Sequence, residues 1–366
     1  MRIVIKVGTG VLTLADGKLD YNFIQDLTYQ IAKLQESHQV LLVSSGAVGA
    51  GRAVLSADGG TGFVNKKSML ASAGQSRLMQ IYTDFFWHHK IIIAQALLKR
   101  ADFENREVCL GIRGTFTNLL KEKILPIINE NDVINIGNPS FGDNDHLAAL
   151  TSVIMEADRM IILTDVDGLY TADPRQDANA KLIKKVVDVD EDVYKLCKPG
   201  TLTKHGLGGM LSKVKAANLA VSHGVKVVIT RGKNSNSVLS SVDMDVDVDN
   251  LEQLKATMFI PKTGKRPKLL KSWMKNLAKR QGTLKIDYGA TQALKLNRSL
   301  LAVGVNSVSG SFKVGDVLLI ENESDPLAVG VGRAEISSQD MLKVLSRDME
   351  GKKGQVFIHR RNLFLY

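Results

Sequence analysis

The chain has 366 residues, of which 44% are hydrophobic and 23% charged, ordinary values for a globular protein with room for a real core and about two domains. Its two cysteines, Cys109 and Cys197, lie far apart and outside any C-x-x-C pair, which argues against a disulfide framework and for a reducing compartment. A net charge of +10 admits a nucleic-acid partner, while the longest apolar run, near Ile91-Ile92-Ile93-Ala94, is too short to cross a bilayer. The N-terminus enters a strand pattern without the apolar stretch of a signal peptide, so the expectation is a cytoplasmic protein with no membrane partner.

From Met1 to about residue 230, strand and helix patterns alternate. Apolar β-rich runs fall at 3–7, 40–43, 91–94, 124–128, 160–163 and 225–229, with amphipathic stretches at 23–35, 67–86 and 146–156. Such an order predicts an α/β domain with a parallel sheet covered on both faces, whose ligands bind at the carboxyl ends of the strands. A basic stretch follows, with eight lysines and arginines between Lys262 and Arg280 and no acid. It reads as a solvated linker ahead of a binding strip. From Gly282 onward, short strands and tight turns with almost no helical periodicity predict a small β-barrel-like domain. The expected division is 1–260, a linker over 261–281, and 282–366.

The strand ends carry the chemistry. Lys6 closes the first strand and opens onto Val7-Gly8-Thr9-Gly10; Lys213 follows Gly206-Leu207-Gly208-Gly209-Met210 and leads into a helix. Flexible backbone that approaches phosphate oxygens, with a fixed cation beside it, suits phosphoryl transfer, although neither segment fits the P-loop pattern. Ser44-Ser45-Gly46 also follows a strand, with amides and hydroxyls for a carboxylate or phosphate. Asp143, Asn144 and Asp145 open a helix, and three polar residues in succession exceed what capping requires. Asn129-Glu130-Asn131-Asp132 ends a buried strand, where polar side chains need a partner or a ligand, and Thr164-Asp165 ends another. The alternating Asp243, Asp245, Asp247 and Asp249 do not make an EF-hand, because Val248 stands where glycine is required. His88-His89 lacks partners at metal spacing; no metal site is expected, and no Ser-His-Asp arrangement stands out.

These residues resemble the glutamate 5-kinase family. The resemblance rests on Ile5 to Thr13, Ser44-Ser45-Gly46-Ala47-Val48, Ile128 to Asp132, Phe141 to Asp145 and Leu163 to Arg175, in that order. Gly282 to Ala290 and Val308 to Asp316 resemble the PUA domain that many members carry. The resemblance implies the amino-acid kinase fold, an open αβα sandwich, followed by a β-rich PUA barrel. It implies phosphorylation of the γ-carboxylate of L-glutamate with ATP and Mg²⁺, the first step towards proline. Lys6 and Lys213 would stabilise charge on the transferring phosphoryl group, with Asp145 completing the catalytic set. Ser45, Asp132, Asp143 and Asn144 would bind glutamate. Lys6, Gly8, Thr164, Asp165, Leu207, Gly208, Gly209, Met210 and Lys213 would hold ATP. It further implies inhibition by proline, a homo-oligomer (dimer or tetramer) and a glutamyl-phosphate reductase as partner.

The chain departs from the family pattern at Leu207, where threonine is usual, and at Gly10, where serine is frequent. Phe141 to Asp145 and the appended PUA domain favour glutamate over the acceptors of acetylglutamate, aspartate or uridylate kinases. RNA binding through the second domain is the reading from a different class; the basic stretch supports it, but the β-domain lacks a row of stacking aromatics.

Overall fold

The computed structural model describes residues 1–55, 66–132, 144–174, 176–197, 209–243, 255–262, 273, 278–323 and 328–366. Most of the basic stretch, the Asp245–Asp249 alternation, Asp143, Leu207 and Gly208 therefore lie outside the described residues. The chain forms two compact units, Met1–Asp102 with Leu110–Arg266, and Phe103–Cys109 with Pro267–Tyr366. No described helix is long and apolar enough to cross a membrane.

The first unit is built on strands β1 (Arg2–Val7), β2 (Gln39–Ser44), β3 (Ile93–Leu98), β4 (Leu125–Glu130), β5 (Arg159–Thr164), β6 (Lys185–Val186), β7 (Lys226–Arg231) and β8 (Ala256–Phe259). They form one sheet in the order β3-β4-β2-β1-β5-β7-β8-β6. Every pairing from β3 to β7 is parallel, and β8 runs antiparallel to β7. β1 lies centrally because Ile3, Val4, Ile5 and Val7 are fully buried on both of its faces, as a strand between two helical layers requires. Its neighbours β2 and β5 are reached in opposite directions along the sheet, so a topological switch point falls at the end of β1, where Lys6 and Gly8 stand.

The helices are α1 (Thr9–Leu12), α2 (Tyr21–Gln35), α3 (Ala47–Val54), α4 (Lys66–His88), α5 (Arg100–Glu104), α6 (Arg106–Lys121), α7 (Asn144–Ile154), α8 (Glu191–Leu196), α9 (Met210–Val221) and α10 (Ser237–Asp243). The expected strand at 91–94 is displaced to 93–98. Its burial alternates instead of being complete, because β3 is the sheet edge. Ile92, 60% exposed, sits in the turn beyond Lys90, whose φ is 58°.

Two glycines set how closely α3 and α4 approach. A Cβ on Gly51 would lie 1.9 Å from the Leu70 carbonyl oxygen, and one on Gly74 would lie 1.8 Å from that of Ala47. The helices meet backbone to backbone at this crossing.

The second unit holds a five-stranded sheet in the order β11-β9-β12-β13-β15, where β9 is Arg280–Ile286, β11 Val305–Gly310, β12 Val317–Asn322, β13 Ala328–Arg333 and β15 Leu363–Leu365. A two-stranded ribbon pairs β10 (Leu300–Leu301) with β14 (Val356–Ile358). Its core gathers Leu284, Ile286, Leu318, Ile320, Met341 and Phe357. The expectation of almost no helix is corrected by helices at Tyr288–Lys295 and Ser338–Leu345. Each is only two turns long, too short for a 3.6-residue period to stand out, although Asp287 and Ser337 cap them through Ala290 N and Asp340 N. Within the basic stretch, Trp273 is buried and donates its indole N–H to the Phe103 carbonyl. At that residue the chain is anchored, not solvated.

The helix crossing yields a paired prediction. Gly74→Ala should destabilise the protein by about 3 kcal/mol through forced overpacking. Gly111→Ala, where a Cβ meets nothing within 4 Å on helix α6, should be neutral or stabilise by up to about 1 kcal/mol. Denaturant unfolding of the two variants against the parent protein measures both.

Candidate active site

The carboxyl ends of β4, β2, β1 and β5 lie side by side, and the N-termini of α7 and α9 bring polar side chains to them. Helix α7 is almost wholly buried, because Leu147-Ala148-Ala149-Leu150 continues into Thr151-Ser152-Val153-Ile154 without a polar face. Its first two residues, Asn144 and Asp145, are carried inside with it. Asp145, 1% exposed, benefits there from the positive end of the helix.

Two lysines from different elements converge on this carboxylate. Lys6 Nζ of β1 lies 2.6 Å from Asp145 Oδ1, and Lys213 Nζ of α9 lies 3.2 Å from Oδ2. Ser212 Oγ donates to the same Oδ2 at 3.1 Å. Both lysines are buried. Burial pushes the Asp145 carboxyl upward, but the charges and hydrogen bonds of Lys6 and Lys213 outweigh it and hold the pKa at about 2. An ammonium in the first turn of α9 is opposed by that helix's dipole, so the carboxylate also makes Lys213's position tenable.

On the β2 and β4 side, Asn144 is the hub. Its Nδ2 donates to Ser45 Oγ at 2.9 Å and Asn129 Oδ1 at 3.0 Å, with the Ser44 carbonyl at 3.4 Å. Among the described residues, Asn144 Oδ1 is buried and meets no hydrogen-bond partner. Such an oxygen costs stability unless a ligand donor reaches it. Gly46 turns the chain from Ser45 into α3 with a φ of 100°, a conformation available to glycine at little cost.

On the β5 side, Thr164 is buried and donates to Asp165 Oδ1, while Asp165 is exposed. Gly8 N–H bonds the Leu163 carbonyl at 3.2 Å, and a Cβ on Gly8 would stand 3.3 Å from Lys6 Nζ, so a side chain there would crowd that ammonium. Among the described residues, Gly209 precedes α9 with no side-chain cap and open space at its Cβ, which leaves the first amides of the helix able to take an anion. Gly10 leaves its Cβ position 3.9 Å from Asp165, so serine would fit where this chain has glycine.

Of the expected site residues, the structure thus brings Lys6, Asp145 and Lys213 together, and Ser45 with Asn144. Gly8, Thr164 and Asp165 lie at neighbouring strand ends, and Gly209 and Met210 open α9. Asp132 is held by α4: Lys67 Nζ lies 3.4 Å from its Oδ1 and Ser68 Oγ donates to its carbonyl at 3.0 Å.

Several residues escaped sequence reasoning. Gln75 Oε1 accepts from Asn129 Nδ2 at 2.8 Å, and Tyr82 bonds Ser44 Oγ at 2.8 Å. Ser68, Gln75 and Tyr82 recur every seven residues, which keeps them on one face of α4 with a drift of about 20° per step. That spacing was readable, but each residue alone looks like one member of an amphipathic helix. Ser212 stood next to Lys213 without a separate signal. Arg231 Nε donates to Asp167 Oδ1 at 2.8 Å and Tyr170 OH to Oδ2 at 3.0 Å. Burial raises the Asp167 pKa, but its bonds to Arg231 and Tyr170 lower it further, and the net shift is downward. This knot braces the loop beyond Asp165.

A model of the amino acid kinase family matches residues 1–231, and a PUA domain model matches residues 282–352. Glutamate 5-kinase of Caldanaerobacter subterraneus subsp. tengcongensis is 39% identical, covering 99% of this chain and 97% of that protein. Glutamate 5-kinase of Dehalococcoides mccartyi is 38% identical over the same shares. A UMP kinase structure from Ureaplasma parvum aligns at TM-score 0.46 and 14% identity, covering 71% of this chain and 98% of that one, a distance at which the likeness carries no weight. With an amino acid kinase match over most of its length, a PUA match behind it and such relatives from end to end, the chain belongs to the amino acid kinase family and, within it, to the glutamate 5-kinases.

Proposed function

We propose that Lys6, Lys213 and Asp145 are the phosphoryl-transfer centre of a kinase that uses ATP to phosphorylate the γ-carboxylate of L-glutamate, giving L-glutamyl 5-phosphate, the first step of proline biosynthesis. The observation that carries this is the meeting of two buried lysines on Asp145 where β1 ends. The full-length relatives named glutamate 5-kinase support the choice of acceptor.

The chemistry asks little of the protein beyond placement. The γ-carboxylate, with a reference pKa near 4.3, is already ionised. Its oxygen attacks the γ-phosphorus, the bond to the β–γ bridging oxygen breaks, and ADP leaves; no proton moves and no general base is needed. What remains is positioning and charge neutralisation. Lys6 and Lys213 supply two donors aimed by Asp145. A Mg²⁺ ion, keeping several waters and riding on the nucleotide phosphates, would neutralise further charge there. The uncapped start of α9 at Gly209 and Met210 suits the phosphates, with Gly8, Thr164, Asp165, Leu207 and Gly208 completing the nucleotide side. Ser45, Asp132, Asp143 and Asn144 hold glutamate. The buried Asn144 Oδ1 suits an ammonium donor, and Ser45, already accepting from Asn144, has its hydroxyl hydrogen to give.

Around this centre we place residues 1–260 as the catalytic domain, 261–281 as a linker and 282–366 as the PUA domain, in a cytoplasmic homo-oligomer (dimer or tetramer). Proline as inhibitor and a glutamyl-phosphate reductase as receiver of the labile acyl phosphate belong to the same proposal. RNA binding is not favoured.

ADP release should occur with L-glutamate and not with L-aspartate, N-acetyl-L-glutamate or UMP. Lys213→Ala should lower kcat about 100- to 1,000-fold, as loss of one transition-state donor does. Turnover with another acceptor would keep the phosphoryl-transfer site and change the substrate.

Asp145 also makes stability pH-dependent. Its folded pKa of about 2 lies below the ordinary aspartate value of 3.8, so the native state releases this proton more readily than the unfolded chain. The stabilisation is complete above the unfolded pKa and is lost as pH falls from about 4 to about 2. Comparing unfolding of the parent protein and Asp145→Asn across that window should show a steeper slope in the parent than in the variant, where Asp20 and Asp167, also held low, still contribute.

A further inference from the structure

The orientation of the Asn144 amide is dictated by a chain of contacts that begins at a backbone group. The Glu130 N–H donates to Asn129 Oδ1 at 2.8 Å, and a backbone N–H can only donate, which fixes which end of the Asn129 amide is oxygen. The other end, Nδ2, then faces Gln75 Oε1 at 2.8 Å. Asn129 Oδ1 in turn accepts from Asn144 Nδ2 at 3.0 Å. Asn144 must therefore present nitrogen to Asn129 and Ser45, and its own oxygen is the buried acceptor left over. Ser45 Oγ cannot set this alone, because a hydroxyl both donates and accepts.

From this we infer that Gln75 is a positioning residue for the acceptor substrate: through Asn129 it holds the Asn144 amide with its carbonyl oxygen available to the substrate ammonium. The inference rests on the reading of Asn144 as a glutamate ligand. Asn129 is only 3% exposed, so without Gln75 its Nδ2 would be a buried donor with nothing to bond, and the side chain would turn to find a partner. That turn withdraws the oxygen holding Asn144 Nδ2 at 3.0 Å, and leaves the longer, weaker 3.4 Å contact with the Ser44 carbonyl as the one obligate acceptor that fixes its sense. Helix α4 is fit for the task, since Ser68 and Tyr82 pin it to the Asp132 carbonyl and to Ser44 on either side of Gln75, and the Gly51–Gly74 crossing fixes it against α3.

The test is steady-state kinetics of the full chain with Gln75→Met, Gln75→Glu and Asn144→Ala, using L-glutamate as substrate and glutarate, which lacks the ammonium, as competitive inhibitor. Gln75→Met should raise KM for L-glutamate about 10-fold or more, as loss of a charge-assisted hydrogen bond does, while KM for ATP stays unchanged. Gln75→Glu, which keeps an acceptor facing Asn129, should bring KM back towards the parent value. The preference for L-glutamate over glutarate should shrink by a similar factor in Gln75→Met and Asn144→Ala. An unchanged KM in Gln75→Met beside a raised KM in Asn144→Ala would overturn the positioning role and leave the ligand reading intact. An unchanged KM in Asn144→Ala would remove the ligand reading itself, and the inference with it. Equal rises in KM for both substrates in the Met and Glu variants would show a merely structural residue and overturn the inference. If Gln75→Met does not fold, Gln75→Asn, one methylene too short to reach Asn129, gives the same comparison.

Discussion

A single carboxylate, Asp145, holds two ammonium groups inside the protein, and the rest of the first unit is arranged so that it can. Burying a charge is costly unless it is paired and hydrogen-bonded. Here the carboxylate comes from α7, one lysine from β1 and the other from α9, so all three elements must be docked before both lysines are paired. A buried ion pair of this kind adds little to net stability compared with an apolar core. In the proposed function its use is to fix donors in place ahead of the reaction, so that no reorganisation is required when charge develops on the transferring group.

The order of strands along the sheet then sorts the rest of the chemistry. In the proposed reading, β4 and β2 serve the acceptor through Asn129, Asn144 and Ser45; β1 contributes Lys6 at the point of transfer; and β5 serves the nucleotide through Thr164 and Asp165. Neighbouring parallel strands stand about 4.8 Å apart, a spacing that lets adjacent strand ends address adjacent parts of one reacting complex. On the same reading the helices extend this sorting: α4 and α7 stand on the acceptor side, while α9 brings Lys213 to the phosphates.

Much of this arrangement was legible in the chain because fully buried strands leave an unmistakable trace. Ile3-Val4-Ile5 and Ile161-Ile162-Leu163 have no polar face, and polar residues immediately after such runs, Lys6 or Thr164, must be explained by a site. Asn144 and Asp145 were legible for a related reason: adjacent polar residues at the mouth of an apolar helix exceed the needs of a cap. The edge strand β3 was misplaced because one open side relaxes the demand for continuous apolar sequence. Gln75 and Tyr82 were hidden by their helix, where a polar residue every seventh position is indistinguishable from a solvated face until the helix is seen docked. Arg159 was hidden more completely. Nothing in Asp158-Arg159-Met160 indicates that this guanidinium is buried and caps α10 through the carbonyls of Ser241 and Val242, since that partner lies some eighty residues away.

The backbone-to-backbone crossing of α3 and α4 has a mechanical consequence. With no side chains between Gly51 and Leu70 or between Gly74 and Ala47, there is no soft layer to compress, and the two helices translate or rotate only as one piece. Ser45 leads into α3 and Gln75 rides on α4, so in the proposed reading these two residues of the acceptor side keep a fixed separation. In the proposed reading, this helix pair is the rigid side of the acceptor site.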